Sequence, residues 1–527
     1  MTRRFPALMM TALLACTPVL SPRAADTPFQ VVEASVDDIH AAMKAGKITA
    51  RQLVQMYLDR IEALDKKGPT INSVISINPA ALAEADRLDA AYKASGFTGP
   101  LHGIPILVKD EVDAAGMATT LGTVVFKDYK PTRDAFPVAQ LRKQGAIILG
   151  KTTLSEYAAG DTYGSLFGAT RNPYALDRTA GGSSGGSGAA LAANLSTLAV
   201  GEETSSSIRR PAAWGALVSA RPTPGLVSRS GMWDGYPSPT AQMGPMARSV
   251  RDLALMLDGM VGYDPEDPVS ALGVGKYSGS YTQYLNKDAL KGARIGVLQE
   301  PIGTQSDPTL ADYKKVDVVF QKAVGELKAA GAMVVDPIII PDLKVLLAKA
   351  SRDPETADKA LHVYLGRNPN SQFKSHEDIG KSPVMNKSIP STKADPWMKP
   401  PEKTDQAKWA AYLQAREQLT FTIAKVMADN KLDAIVLKTV EHQPNLIKEG
   451  MNPPYKPTRG LISLNTFLVY SSVITVPAGF DSDGIPVGMT FFGLAYSEPT
   501  LFKLAYAYEQ ATHHRVPPKS TPALKGH

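Results

Sequence analysis

The chain contains a single cysteine, Cys16, among its 527 residues. One thiol cannot form a disulfide within the chain, and zinc sites built from several cysteines are excluded. The histidines show no metal-ligand spacing and no Ser–His–Asp motif accompanies them; they stand at positions 40, 102, 362, 376, 442, 513, 514 and 527. The sequence therefore predicts neither a metal nor a cofactor.

Long apolar runs and excess positive charge are also scarce. Beyond the N-terminus, no segment reaches the ~18 uninterrupted apolar residues that a membrane span requires. The formal charge of +6 includes Arg3, Arg4 and Arg23; without these three, 54 basic residues face 51 acidic ones. No basic arm is interleaved with aromatic residues, so a nucleic-acid partner is not expected.

Residues 1–25 have the pattern of an export signal. Arg3 and Arg4 precede the uncharged, mostly apolar run from Phe5 to Leu20, and small residues follow it. The alternatives are a first helix of the fold, or a lipid anchor at Cys16, which follows Leu13-Leu14-Ala15 as in a bacterial lipoprotein box. The sequence thus predicts a periplasmic or secreted protein, with a membrane-anchored lipoprotein as the variant.

Helical and strand patterns alternate along the rest of the chain, which favours an α/β fold. Helical spacing of apolar residues predicts helices within 35–64 (with Ser35 and Thr49 as caps), in 80–94, and in 499–512. Short apolar runs predict strands at 104–108, 146–151, 196–200, 434–437, 473–476 and 487–492. We predict one domain over 26–520, with a variable middle excursion at about 340–460 and a Pro-, Lys- and Ser-rich surface segment at 377–403.

A glycine- and serine-rich loop at 181–188 runs directly into an Ala/Leu helix. Glycines before a helix N-terminus let backbone N–H groups approach a reacting group, which favours a catalytic loop. A flexible linker has the same composition, and a phosphate cradle is a third alternative, although its Lys-Ser/Thr ending is absent.

Six separated motifs, in this order, resemble the amidase signature family. They are 99–110, 150–152, 167–173, 178–186, 204–211 and the pair 477–479 with 484–489. The resemblance covers most of residues 35–512. It implies an amidase signature fold, a mixed central β-sheet covered by α-helices, and hydrolysis of carbon–nitrogen bonds in small linear, aryl or carbamate-type amides.

The resemblance also implies the site. Lys109, Ser183 and Ser207 match the family's Ser–Ser–Lys triad, in which Ser183 follows an unusual cis peptide bond and Ser207 is the nucleophile. The backbone N–H groups of Thr204, Ser205, Ser206 and Ser207 match the oxyanion-binding positions, whereas Ser184 and Arg209 are expected to support the loop. The alternatives are a non-catalytic binding protein of the same fold or an amidotransferase-type subunit.

The proposed base, Lys109, imposes a physical requirement. A free lysine is protonated at neutral pH. Burial after the apolar run 104–108 would lower the pKa of Lys109, so that it loses its proton more easily. We therefore expect activity to rise through alkaline pH. Three departures from the family pattern concern the substrate pocket more than the reaction: Ser205-Ser206 replaces a common Gly-Gly, Glu203 an aspartate, and Thr153 an asparagine.

Overall fold

The computed structural model describes residues 1–2, 29–385 and 402–524 of the chain. The predicted export signal and Cys16 lie outside the described residues, as does most of the predicted surface segment at 377–403. No helix in the described ranges is long and apolar enough to cross a membrane.

An eleven-stranded mixed sheet forms the centre of the described chain, in the order β1-β3-β2-β8-β10-β9-β14-β15-β13-β11-β12. Strands β2, β3 and β8 are mutually parallel, as are β11, β12 and β13, and antiparallel pairs connect the two groups. The strands are β1 (Val74–Ile77), β2 (Pro105–Lys109), β3 (Ile147–Thr152), β4 (Tyr163–Gly164), β5 (Gly168–Ala169), β6 (Arg171–Asn172), β7 (Ala175–Thr179), β8 (Leu198–Glu203), β9 (Val218–Arg221), β10 (Gln242–Ala247), β11 (Arg294–Val297), β12 (Met333–Val335), β13 (Ala434–Lys438), β14 (Ser472–Phe480) and β15 (Pro486–Gly493).

Helices surround this sheet. They are α1 (Val36–Lys44), α2 (Ala50–Arg60), α3 (Ala81–Ser95), α4 (Phe136–Lys143), α5 (Gly185–Ala192), α6 (Arg209–Trp214), α7 (Val250–Met260), α8 (Ala311–Ala329), α9 (Leu343–Leu347), α10 (Pro354–Gly366), α11 (His376–Gly380), α12 (Gln406–Asp429), α13 (Ile447–Met451), α14 (Leu464–Leu468) and α15 (Glu498–Thr512). A π-helical segment, Ile61–Lys66, continues α2, and 3₁₀ turns lie at Glu156–Ala158, Pro268–Gly273 and Tyr281–Tyr284.

The predicted secondary structure is confirmed at each of the segments named above. Ser35 and Thr49 both form capping boxes, with the backbone N–H groups of Asp38 and Gln52 respectively. The six predicted strands correspond to β2, β3, β8, β13, β14 and β15. The single domain over 26–520 stays a prediction; β13, inside the predicted excursion, is an interior strand of the main sheet.

Helix α5 is the element that brings the glycine loop to the sheet. All eight of its residues are buried, and it packs against β2, β3, β8 and β10. Glycine is needed at position 186 because a Cβ atom there would overlap the backbone and hydroxyl oxygens of Thr153, the residue that follows β3. The linker alternative for residues 181–188 is therefore wrong.

Candidate active site

The candidate site lies where β2 and β8 end side by side. These strands are parallel neighbours, with Val108 opposite Val200, so Lys109 and Glu202 leave the sheet at the same edge. Functional side chains of α/β proteins commonly gather at the carboxyl ends of parallel strands. The sheet therefore juxtaposes two segments separated by 93 positions in the chain.

Lys109 is fully buried and its amine is surrounded by oxygen atoms. The Nζ atom lies 2.6 Å from Ser183 Oγ, 2.8 Å from Glu202 Oε2 and 3.3 Å from the Glu202 carbonyl oxygen. A second carboxylate oxygen, Glu111 Oε1, lies 2.6 Å away. The predicted contact between Lys109 and Ser183 is thus present, together with two carboxylates that the sequence analysis missed.

These two carboxylates reverse the expected direction of the Lys109 pKa shift. Burial by itself lowers the pKa of Lys109, but the negative charges of Glu111 and Glu202 outweigh it and leave this pKa raised. The shift of the Lys109 pKa is therefore opposite in direction to the lowering that desolvation alone would produce. Burial and the neighbouring Glu202 raise the pKa of Glu111 well above its usual value, whereas the Glu202 pKa is lowered because Lys109 overcomes the effect of burial.

A pattern in the sequence could have indicated Glu111. If the strand continued past Lys109, alternate residues would point to the same side and Glu111 would share a face with Lys109; β2 in fact ends at Lys109, and Glu111 lies in the turn that follows. Glu202 required knowledge of the strand order, because only the pairing of β2 with β8 brings it to the lysine.

The glycine loop has the cis peptide bond that the resemblance implies, between Gly182 and Ser183. The Arg210 guanidinium donates to the Gly182 carbonyl from Nε at 2.8 Å and is paired with Asp161 at 2.9 Å. The Ser183 carbonyl accepts from the Ser155 N–H at 3.1 Å. Both carbonyls flanking the cis bond are therefore held by hydrogen bonds.

Ser184 connects the glycine loop to the segment that carries Ser207. Its N–H donates to the Ser207 carbonyl at 3.2 Å, and its hydroxyl donates to the Glu202 carbonyl at 3.0 Å. Residues 183 and 207 are therefore held close together through the backbone. Among the described hydrogen bonds, none joins the Ser183 hydroxyl directly to that of Ser207.

The segment from Thr204 to Ser207 presents unused backbone donors. Within the described chain, the N–H groups of Thr204, Ser205, Ser206 and Ser207 donate no hydrogen bond. Ser205 is exposed, whereas Ser206 and Ser207 are buried, with Ser207 at 9% exposure. Preorganised N–H groups beside a serine hydroxyl can stabilise an oxyanion.

Arg209 is hydrogen-bonded to the segment that carries Ser207. Its guanidinium pairs with Glu203 at 2.9 Å and donates to the carbonyl oxygens of Ser205 at 2.8 Å and Ile462 at 2.7 Å. The other Glu203 oxygen accepts the N–H groups of Ile208 and Arg209, each at 3.1 Å. The buried pair therefore fixes both ends of the turn that carries Ser207.

The departures from the family pattern are accommodated without strain. Neither Ser205 nor Ser206 has a positive φ, so the loop does not need glycine at these positions. Thr153 hydrogen-bonds through its hydroxyl to Thr170 at 2.6 Å and to the Ser73 carbonyl at 3.1 Å. Its carbonyl accepts the Gly186 N–H at 3.2 Å, so it supports the glycine loop.

A cavity of about 280 Å³ lies next to this site but does not contain it. The backbone of Trp233 links the two, since its N–H donates to the Glu111 carbonyl at 3.1 Å. The cavity is lined by Arg133, Arg229, Ser230, Gly231, Met232, Gly235, Tyr236, Glu266, Val363, Tyr364, Gly366 and Arg367. No predicted site residue is in this lining.

Comparison with known proteins places the chain in a family. The family model described as Amidase matches residues 52–502. A probable amidase of Arabidopsis thaliana is 32% identical over 515 residues, covering 93% of this chain and 92% of that protein. A glutamyl-tRNA(Gln) amidotransferase subunit of Halorhodospira halophila is 34% identical over 496 residues, covering 92% of this chain and 98% of that protein.

A solved structure has the same fold. The native peptide amidase from Stenotrophomonas maltophilia superimposes with a TM-score of 0.82 at 35% identity, covering 93% of this chain and 99% of that one. The similarity thus extends over the sheet, the glycine loop and the segment that carries Ser207.

Proposed function

The chain belongs to the amidase signature family and is an amidase acting on carbon–nitrogen bonds, and from this premise we propose that it hydrolyses small amides through Ser207, Ser183 and Lys109. The substrate class is linear, aryl or carbamate-type amides. Ser207 attacks the carbonyl carbon, its proton passes to Ser183, and the proton of Ser183 passes on through Lys109. An acyl-enzyme forms, the amine leaves with a proton, and water then releases the acid.

One observation carries this proposal: Lys109 Nζ lies 2.6 Å from Ser183 Oγ at a fully buried position. A serine hydroxyl is a weak nucleophile and needs a proton acceptor within hydrogen-bond reach. The unused N–H groups of Thr204 to Ser207 support the second half of the proposal, the stabilisation of a tetrahedral oxyanion. The mechanism requires the Ser183 and Ser207 hydroxyls to meet directly or through one water.

A covalent probe tests the nucleophile. A fluorophosphonate is expected to modify the protein once, and peptide mass spectrometry is expected to place the adduct on Ser207 and not on Ser205 or Ser206. Ser207→Ala should abolish labelling. The matched control is Ser306→Ala, because the Ser306 hydroxyl has no hydrogen-bond partner among the described residues and lies outside the site. Labelling that persists in Ser207→Ala contradicts the assignment.

A substrate panel tests the reaction class. We would measure acid and amine release from aryl anilides, aliphatic amides, carbamates and C-terminally amidated peptides. The amidated peptides are included because the Stenotrophomonas maltophilia protein with 35% identity is a peptide amidase. Labelled protein that hydrolyses no member of the panel would limit the proposal to the nucleophile.

The amidotransferase-type subunit is the second candidate function. It is favoured by relatives such as the amidotransferase subunit of Halorhodospira halophila, at 34% identity. The two functions differ in whether the chain acts alone. Amide hydrolysis by the purified chain, with ammonia released to solution, supports the amidase; glutamine cleavage that occurs only with partner proteins supports the alternative. The absence of both labelling and turnover would favour a non-catalytic binding protein.

We further propose that the protein works outside the cytoplasm, because residues 1–25 have the pattern of an export signal. Cell fractionation and N-terminal sequencing of the mature protein test this. Cys16→Ser separates the two export routes: a soluble periplasmic form is unaffected by it, whereas a lipoprotein loses its membrane anchor. Recovery of the intact N-terminus from the cytoplasm would contradict export.

A further inference from the structure

Two buried carboxyl groups flank the amine of Lys109, and the proposed relay does not use them. Glu202 Oε2 lies 2.8 Å and Glu111 Oε1 2.6 Å from Nζ. Their side chains are 2% and 1% exposed. The Thr204 hydroxyl donates to Glu202 Oε1 at 2.8 Å, so Glu202 is held with its other oxygen directed at the lysine.

The arrangement of oxygen atoms indicates the charge state of the amine. Four oxygens lie within 3.3 Å of Nζ: Ser183 Oγ, Glu111 Oε1, Glu202 Oε2 and the Glu202 carbonyl oxygen. An ammonium group has three N–H donors and no acceptor, whereas a neutral amine has only two donors and must also accept. A cluster of carboxylate and carbonyl acceptors is therefore complementary to the ammonium form.

We infer that Glu202 is the terminal acceptor of the nucleophile's proton and that Lys109, charged at the start and at the end, transmits it. This inference rests on the proposed function. One Lys109 N–H proton moves to Glu202 Oε2, and the lone pair left on Nζ takes the Ser183 proton; Ser183 Oγ in turn takes the proton of the Ser207 O–H bond, which breaks. The electron pair freed on Ser207 Oγ forms the bond to the carbonyl carbon, and the carbonyl π pair moves to oxygen.

The reverse sequence completes the half-reaction. Ser183 protonates the departing nitrogen as the C–N bond breaks with its electron pair on nitrogen; Lys109 then gives a proton to Ser183 Oγ and takes one from Glu202. Lys109 is an ammonium group at the start and at the end of the relay, and a neutral amine only between giving one proton and taking the other. Glu111 is a positioning residue: its oxygen holds the lysine, and its protonated carboxyl leaves Glu202 as the ionised member of the pair.

Asp234 is a further carboxyl group whose charge acts on this cluster, and burial together with the charge of Glu202 raises its pKa to about 7. The other charged groups named here are paired or of the wrong sign to replace Glu202. The remaining groups are Lys151 with Asp110 at 3.2 Å, Arg209 with Glu203 at 2.9 Å, and Arg221, which donates to the carbonyls of Thr240 and Val469.

The test measures the second-order rate of Ser207 labelling by a fluorophosphonate, and amide hydrolysis, as functions of pH. For the wild type, both rates should be level from mildly acidic to alkaline pH, because Glu202 is already ionised and Lys109 need not lose its proton. Glu202→Gln should lower the rate at pH 7 by roughly 100-fold or more, the size of a general-base contribution. Its rate should then rise through alkaline pH as Lys109 becomes the base.

Glu111→Gln and Glu509→Gln are the variants to compare with Glu202→Gln. Each makes the same change, at the buried carboxyl of Glu111 and at the half-buried carboxyl of Glu509. Glu111→Gln keeps the acceptor and should lose less than about tenfold; Glu509→Gln, whose carboxyl contacts Val250, should keep the wild-type rate and profile. A wild-type rate that rises through alkaline pH, a Glu202→Gln loss that is equal at all pH values, or the larger loss in Glu111→Gln would each overturn the inference. Absence of all labelling in the wild type would instead contradict the proposed function.

Discussion

The guanidinium of Arg210 holds the carbonyl oxygen of Gly182, with Nε at 2.8 Å. It reaches across 28 positions of the chain to the peptide bond that precedes Ser183. The same guanidinium pairs with Asp161 at 2.9 Å and donates to the Gly160 carbonyl at 2.8 Å. One buried cation therefore ties the start of α6 to the glycine loop.

This contact predicts that Arg210→Lys lowers the labelling rate of Ser207 although residue 210 is not proposed to react. A lysine lacks the planar guanidinium group with its several N–H donors, so it cannot bind Gly182, Gly160 and Asp161 together. We expect a destabilisation of about 1–3 kcal/mol, as for unsatisfied buried groups, in urea unfolding. The control is Arg51→Lys, whose partner Asp86 is exposed, where the change should stay below about 0.5 kcal/mol. Equal effects in the two variants would contradict the role of Arg210.

The three proposed catalytic side chains should behave as one unit. Ser207→Ala should abolish turnover, and Lys109→Ala and Ser183→Ala should each be severe, because both lie on the proposed proton route. The Lys109→Ala/Ser183→Ala double variant should be no slower than the worse single variant, since groups that act together are not additive. Single-turnover labelling kinetics provide the measurement. Multiplicative losses would show that Lys109 and Ser183 act independently.

Much of the fold could be predicted because local chemistry and tertiary structure agree. The apolar runs that form β2, β3 and β8 are buried along their full length, and the capping residues Ser35 and Thr49 begin α1 and α2. Strand β10 was not predicted. It carries Pro245 in an interior position opposite Val200, and proline is disfavoured in central strands because it lacks an N–H donor.

The site could be predicted only in part, because some of its contacts depend on the order of the strands in the sheet. The motifs around Lys109 and Ser183 identify two members of a contact that the structure contains, at 2.6 Å. The environment of Lys109 depends on strand order, because Glu202 reaches it from β8. A lysine after an apolar strand was therefore expected to be neutral, whereas two carboxylates raise its pKa.

Removing the lysine charge should destabilise the fold in a pH-dependent way. In Lys109→Met, Glu111 and Glu202 are buried without a counter-charge, and breaking a buried ion pair costs about 3–5 kcal/mol. Their folded-state pKa values then exceed the unfolded values, so the native state binds more protons and stability falls as pH rises. The loss measured by urea unfolding should be larger at pH 8 than at pH 5. Glu111→Gln/Glu202→Gln in the Lys109→Met background should restore stability, and a pH-independent loss would contradict this account.

The buried pair of Glu203 and Arg209 should control the shape of the Ser207 turn. Glu203→Ala leaves the Arg209 guanidinium and two backbone N–H groups without their acceptor, which costs about 3–5 kcal/mol for a broken buried pair. Glu203→Asp introduces the residue that is common at this position in the amidase signature family. It keeps the negative charge and should retain more of the labelling rate than Glu203→Ala. Urea unfolding and labelling kinetics check both effects. Equal losses in the two variants would show that the carboxylate charge does not hold the turn.

Glu509 on α15 should make the protein less stable at high pH. Burial raises the pKa of this carboxyl to about 7, while a hydrogen bond from the Val250 N–H at 2.8 Å opposes the shift only partly. Because the folded pKa exceeds that of the unfolded chain, the native state binds more protons between about pH 4.5 and 7. The free energy of unfolding should therefore fall across this range and become level above it.

Glu509→Gln isolates this contribution, since the amide oxygen can still accept from Val250 but carries no charge. The variant should match the wild type at pH 4 and exceed it by about 1–2 kcal/mol at pH 8, a value reduced for the partial exposure of the group. Urea unfolding at both pH values measures the difference. A variant that is less stable than the wild type at pH 8 would mean that Glu509 is ionised and stabilising in the fold, through a contact stronger than the one to Val250.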